Sequence, residues 1–127
     1  MQDPWQIIIE ENKMKEIKAY VRPKKAEEII TELEVNGLTA MTVIDVSMIG
    51  SWADPDKSKL SMEYCEKYCN CVKIEFVCPD EDVDKYLNLI LNKGHSGQKG
   101  DGKIFISDIS DAYSITTKKH GAEALEA

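Results

Sequence analysis

The chain has 127 residues, long enough for one domain, and its 43% apolar content is enough to fill one compact core. A formal charge of -7 argues against general nucleic-acid binding, which needs a basic face, and reads as solubility. No run approaches the ~20 apolar residues of a membrane span. Residues 1–13 lack the basic start and apolar centre of a secretory leader, so a cytoplasmic protein without nucleic-acid partners or direct membrane insertion is expected.

Residues 1–13, with Trp5 and Ile7-Ile8-Ile9, read as an N-terminal extension or an added edge strand. Over residues 16–22, Ile17, Ala19 and Val21 alternate with Lys18, Tyr20 and Arg22, the period of a half-buried strand. Pro23 suits the first turn of a helix, and Ala26, Ile29, Ile30 and Leu33 then recur at helical spacing until Asn36-Gly37 stops it. A second strand is expected over about 39–49, with Thr42, Ile44, Val46 and Met48 on one side. From Gly50 to Asn70 the chain is polar, and a connection of that length inside a compact domain is functional or disordered. Its middle, Leu60 to Cys69, could form a short helix.

Val72, Ile74, Phe76 and Cys78 mark one face of a third strand, broken by Pro79-Asp80. Asp80 or Asp82 can cap the next helix, whose stripe is Val83, Tyr86, Leu87, Ile90 and Leu91, and Gly94 ends it. Ile104 to Ile109 reads as a fourth strand, Ala112 to Thr116 as a short fifth, and 118–127 as a loose polar tail. The order β-α-β, long loop, β-α-β makes the fold class α+β, a ferredoxin-like split βαβ (βαββαβ). Both helices cover one sheet face, and the apolar positions on the other suggest subunit association.

Between the second helix and the fourth strand lies Gly94-His95-Ser96-Gly97-Gln98-Lys99-Gly100-Asp101-Gly102-Lys103. Four glycines in nine positions allow φ > 0, and successive N–H groups in such a loop form an anion-binding concavity with Lys103 at its exit. The loop matches neither the dinucleotide fingerprint nor the P-loop, which follow a strand and open a helix; an ordinary helix-to-strand connection fits the spacing too. Cys65, Cys69 and Cys71 are densely placed but lack the paired spacing of common zinc sites, so soft-metal binding, redox pairing and plain packing all stay open. Cys78 belongs to the core face of its strand.

The chain resembles the PII family of nitrogen-regulatory signalling proteins over about residues 14–117. The likeness is carried by Val21-Arg22-Pro23, Gly37-Leu38-Thr39-Ala40-Met41-Thr42-Val43, Val72-Lys73-Ile74-Glu75 and Pro79-Asp80. The most specific piece is Ser96-Gly97-Gln98-Lys99-Gly100-Asp101-Gly102-Lys103-Ile104-Phe105. That resemblance implies a homotrimer binding adenine nucleotides (ADP, AMP or ATP) in clefts between subunits, with no metal expected. It implies an effector loop over 50–70 that docks on a target enzyme or membrane transporter, and a phosphate-binding loop over 94–103. Residue by residue, it points to Gly100, Asp101, Gly102 and Lys103 at the phosphates, and to Thr42 near base and ribose. Gly50 falls at the start of the effector loop, and Glu75, Phe76 and Val77 at the adenine pocket.

Departures from the pattern are equally specific. Two arginines that grip the terminal phosphates in the family are Ser114 and Thr116 here, so ADP or AMP is expected to compete well against ATP. The glutamine that helps place magnesium and 2-oxoglutarate is Trp52, whose indole only donates a hydrogen bond. Glu63-Tyr64 falls where many bacterial members carry a modified tyrosine, in different surroundings. The expected function is therefore a PII-like regulator acting through its effector loop, not an enzyme. Slow nucleotide hydrolysis, and metal or redox sensing by Cys65, Cys69 and Cys71, are the alternatives from other classes.

Overall fold

The computed structural model describes residues 13–63 and 66–126; the readings placed on Trp5, on Ile7-Ile8-Ile9, on Tyr64 and on Cys65 lie outside the described residues. Strand β1 is Met14–Val21, helix α1 Pro23–Val35, β2 Thr42–Ile49, β3 Lys59–Ser61, β4 Glu66–Pro79, helix α2 Val83–Gly94 and β5 Gly102–Ile109. The strands form one antiparallel sheet in the order β2-β4-β1-β5, with the short β3 also paired to β4. This is the expected ferredoxin-like split βαβ arrangement, with one additional strand inside the 50–70 segment.

One face of the sheet carries the core. Ile17, Ala19 and Val21 from β1 and Val72, Ile74, Phe76 and Cys78 from β4 are buried against Ala26, Ile29 and Leu33 of α1 and Tyr86 and Ile90 of α2. Phe76 and Tyr86 meet edge to face, with ring centroids 5.5 Å apart. Burial pushes the Cys78 thiol up to about 11, with nearby Asp82 and Asp80 adding to the effect, which suits a core residue and not a nucleophile. The opposite face holds Tyr20, Phe105, Lys73 and Glu75 and is covered by neither helix.

Helix α1 begins at Pro23, whose missing N–H costs nothing at the first turn. It ends in a Schellman turn: Gly37 donates to Glu34 O at 3.1 Å and Leu38 to Leu33 O at 3.0 Å, with Gly37 at φ 104°. Buried Leu33 and Leu38 close the turn hydrophobically. At the far end of α2, Gly94 is buried where Ile29 of α1 would lie 3.7 Å from an added Cβ, so a small residue lets the helices meet.

Several local expectations are corrected. The second strand starts at Thr42, not 39, because its ladder with β4 ends at the pair Thr42–Glu75; residues 39–41 instead line a cavity. No helix forms over Leu60 to Cys69: Lys59–Ser61 and Glu66–Pro79 are strands, the latter far longer than Val72 to Cys78. Its outer half projects beyond the core, so the apolar alternation that marks its inner half is absent there. Neither Asp80 nor Asp82 caps α2 through its side chain, and Leu91 is half exposed, its place against the core taken by Leu89. In place of a fifth strand over Ala112 to Thr116 there is a single bridge, Tyr113 to His120. Nor is the tail loose: Gly121 is buried, donates to Ala112 O at 3.0 Å, and opens a 3-10 turn over Gly121–Leu125. Among the described residues no helix is long and apolar enough to cross a membrane.

Ile74 is fully buried at the centre of β4, between the sheet and both helices. Ile74→Ala is expected to destabilise the protein by about 2–5 kcal/mol, read from urea unfolding at fixed protein concentration.

Candidate functional site

The glycine loop is held from within. Asp101 accepts the N–H of Ser96 at 2.8 Å and of Gly97 at 2.9 Å, the Ser96 hydroxyl, and Arg22 Nε at 3.1 Å. Partial burial opposes ionisation of Asp101, but these donors, Ser96 foremost, outweigh it and hold the carboxyl well below its ordinary 3.8. Two of the loop's amides are thus spent on its own carboxylate. The N–H groups of Lys99 and Gly100 have no hydrogen-bond partner among the described residues.

Arg22, the last residue before Pro23, sits beneath this loop with its side chain largely buried. Its guanidinium fork reaches three places: Nε to Asp101, Nη2 to Lys99 O at 3.0 Å, and Nη1 to Asp54 in the 50–70 segment. Asp54, with Asp101 second, holds the guanidinium more firmly protonated, and Arg22 in turn draws the Asp54 carboxyl below its ordinary value. Asp54 is the one buried charged residue among those described. Sequence reading passed over both residues as site members. The signal for Arg22 was a charged residue on the open face of β1 immediately before a helix-starting proline; nothing local marked Asp54 out from Asp56.

Gly100 and Gly102 serve packing as much as any ligand. At Gly100 (φ 104°) an added Cβ would lie 2.6 Å from Asp54 Cβ, and at Gly102 (φ 114°) 1.7 Å from Tyr20 O. Lys103 is exposed, and its ammonium lies 5.4 Å from the centroid of the Trp52 ring. Trp52 in turn packs on Phe105, centroids 5.8 Å apart. Gly50 turns the chain at φ 106° with nothing within 4 Å of its added Cβ. A cavity of about 320 Å³ opens here, bordered by Arg22, Lys24, Lys57 and Lys59 against the single carboxylate of Asp54.

Thr42, Glu75, Phe76 and Val77 lie elsewhere, on a larger cavity of about 930 Å³. Phe76 turns its ring into the core, so only its backbone can face a ligand. Glu75 is bridged to Lys73 at 2.6 Å, which lowers its carboxyl pKa. Residues 37–42 form one wall and the C-terminal turn 122–126 another. No lysine or arginine lines this cavity, and no residue lines both cavities. Along β4 the two regions are separated by the distance from Val72, beside the glycine loop, to Val77, about 17 Å at strand rise.

Cys69 and Cys71 border the smaller cavity, both buried. The Cys71 thiol donates to Val21 O at 3.2 Å, and burial, then Cys69, pushes its pKa up. Among the described residues no three His, Cys, Asp or Glu side chains are grouped to hold a metal.

The depressed Asp101 carboxyl contributes stability that is complete above its ordinary pKa of 3.8 and is lost as pH falls below that toward its folded value. Stability of the intact protein is therefore expected to fall as pH drops below about 4, and Asp101→Asn to flatten that limb while lowering stability at neutral pH, as checked by thermal melts from neutral to acid.

The model of the family described as nitrogen regulatory protein P-II matches residues 14–119. Nitrogen regulatory protein P-II 1 of Methanothermobacter thermautotrophicus is 35% identical over 112 residues, 88% of this chain and 97% of that protein. The P-II protein of Pyropia yezoensis is 37% identical over the same share of this chain and 100% of its own length. Among solved structures, a Bacillus subtilis GlnK–ATP complex superposes with TM-score 0.73 at 29% identity, covering 89% of this chain and 96% of that one. Arabidopsis thaliana PII bound to citrate gives 0.73 at 28% identity, covering 89% and 92%. The match spans both halves of the fold, the glycine loop of the second included: the chain belongs to the P-II family of nitrogen regulatory signalling proteins.

Proposed function

We propose that this protein assembles as a homotrimer, binds an adenine nucleotide between subunits, and controls a target enzyme or transporter through the effector segment 50–70. The observation that carries the reading is the division of the site. One chain has a cavity lined by Thr42, Glu75 and Val77 without a single cation, and, some 17 Å along the sheet, a cation-rich cavity under the glycine loop. A nucleotide has one end of each kind: a neutral base and an anionic phosphate tail. Two copies packed through the uncovered sheet face bring a base cavity of one against a phosphate cavity of the next, and closed symmetry repeats the junction. The GlnK relative that was solved with ATP supports the ligand class.

Regulation is favoured over hydrolysis by the state of Asp101. Its carboxylate already accepts four hydrogen bonds, so it has no free lone pair aimed at a water. Metal or redox sensing is not supported by Cys69 and Cys71, which are buried, with the Cys71 thiol bonded to backbone. Within the site, Lys103 and the open amides of Lys99 and Gly100 take the phosphates, and Arg22 and Asp101 hold the loop that presents them.

Titration calorimetry of the intact protein with ADP, AMP and ATP, with and without magnesium, tests this. Saturable binding near one nucleotide per chain, weakened about tenfold or more in Lys103→Ala, is expected, with light scattering giving a mass three times that of one chain. Turnover of ATP abolished by Lys103→Ala would overturn the assignment as a regulator, and a monomer that binds no nucleotide would overturn the shared site.

A further inference from the structure

The first turns of the effector segment are a self-contained unit. Ala53 donates to Gly50 O at 3.1 Å, Lys57 to Asp54 O at 3.3 Å, the Ser58 hydroxyl to Asp54 O at 2.6 Å, and Asp56 N–H to Asp54 Oδ1 at 2.9 Å. All four bonds are internal to 50–58, so the segment can move without breaking them. What ties it to the body is short: Asp54 on Arg22 and against Gly100, and Trp52 on Phe105 and under Lys103. The unit leaves β2 at Gly50, which has positive φ and nothing within 4 Å of an added Cβ. It rejoins the sheet at Lys59, paired with Tyr68 of β4. Among the described residues, only the Asp54 and Trp52 contacts hold it down between these two anchors.

Both ties end on groups a phosphate tail would use. Asp54 takes one arm of the Arg22 fork, and its Cα and Cβ pack against Gly100, whose N–H has no partner among the described residues. Trp52 occupies the ammonium of Lys103. Of the other two partners of Arg22, Lys99 O is a neutral carbonyl of the loop backbone and Asp101 is stapled in place by Ser96 and Gly97. An arriving phosphate therefore has one replaceable anion to displace.

We infer that Asp54 is an internal competitor for the phosphate end of the site. It latches residues 50–58 onto the glycine loop until a phosphate takes its place at Arg22 and Gly100. This rests on the nucleotide reading above and names how that site is coupled to the effector segment. The coupling is reciprocal: what displaces Asp54 frees the segment, and what holds the segment down weakens phosphate binding. Asp54 is thereby also a specificity-determining residue, since it sets the affinity that any phosphate must exceed.

Asp54→Asn is the informative variant, because the amide oxygen still accepts the Asp56 N–H while the charge facing Arg22 is gone. Two measurements are made on the full chain. The first is limited trypsin cleavage after Lys57 and Lys59 without ligand, mapped by mass spectrometry; Asp54→Asn is expected to be cut about tenfold faster. The second is calorimetry with inorganic pyrophosphate and with ADP, each expected to bind the variant about tenfold tighter than the parent. Cleavage within about twofold of the parent overturns the latch. Pyrophosphate that binds neither protein, or binds the variant no tighter, overturns the competition. Tighter pyrophosphate binding by the variant with ADP bound by neither protein supports the competition for phosphate and fails the adenine reading alone.

Discussion

One guanidinium joins the sheet to the glycine loop and to the 50–70 segment. Arg22 stands where β1 hands over to α1, its backbone fixed by the strand ladder on one side and by Pro23 on the other. From there it bonds the stapling carboxylate of the glycine loop, a carbonyl of the same loop, and a carboxylate of the effector segment. A lysine at this place could not do the same. Its ammonium is a compact point charge, whereas three acceptors in different directions need a planar fork. The sheet thus sets the position, and the fork transmits it to both loops.

Why the loop should be organised by its own aspartate follows from charge. A chain with a net charge of -7 must gather cations to attract an anion at all. Asp101 would seem to work against that. By drawing in Ser96, Gly97 and Arg22 it folds the loop into one shape and is itself neutralised by those donors. On the proposed reading the loop itself need not refold to offer the amides left over, at Lys99 and Gly100, which is how preorganised dipoles bind charge at low cost; only the Asp54 contact over Gly100 has to give way.

Much of this was legible in the sequence, for identifiable reasons. Strands and helices whose one face meets the core carry period-2 or helical alternation, so β1, α1, the inner half of β4 and α2 could be read directly. The outer half of β4, with Lys67, Tyr68 and Asn70, meets no core and leaves no such pattern. The C-terminal turn was hidden because it is fixed by the Gly121 N–H, donated to Ala112 O and to the Asp111 carboxylate, which no apolar periodicity reports. At the site, the glycine loop was visible as composition and Lys103 as its exit. The pairing of Arg22 with Asp54 was not, since it joins residues 32 apart in sequence through a segment without regular structure.

On the proposed reading, the residues at 114 and 116, Trp52 and the carboxylate of Asp54 act in one direction. Where the family resemblance implies two arginines gripping the phosphates, this chain has Ser114 and Thr116. Ser114 is instead engaged in a tight turn, donating its N–H to Lys119 O at 2.9 Å and accepting that of Lys118 at 2.8 Å. Asp54 adds a carboxylate at the same end, and Trp52, in place of a metal-placing glutamine, covers the lysine that remains. Each change alone would weaken the hold on a highly charged tail. Together they leave a site in which each additional phosphate gains less from the protein and must displace the same internal anion. A mono- or diphosphate has less charge to neutralise, so its disadvantage against a triphosphate shrinks. On the reading proposed here, the signal this chain reports is set by the balance between one protein carboxylate and one phosphate at Arg22, more than by the count of cations around them.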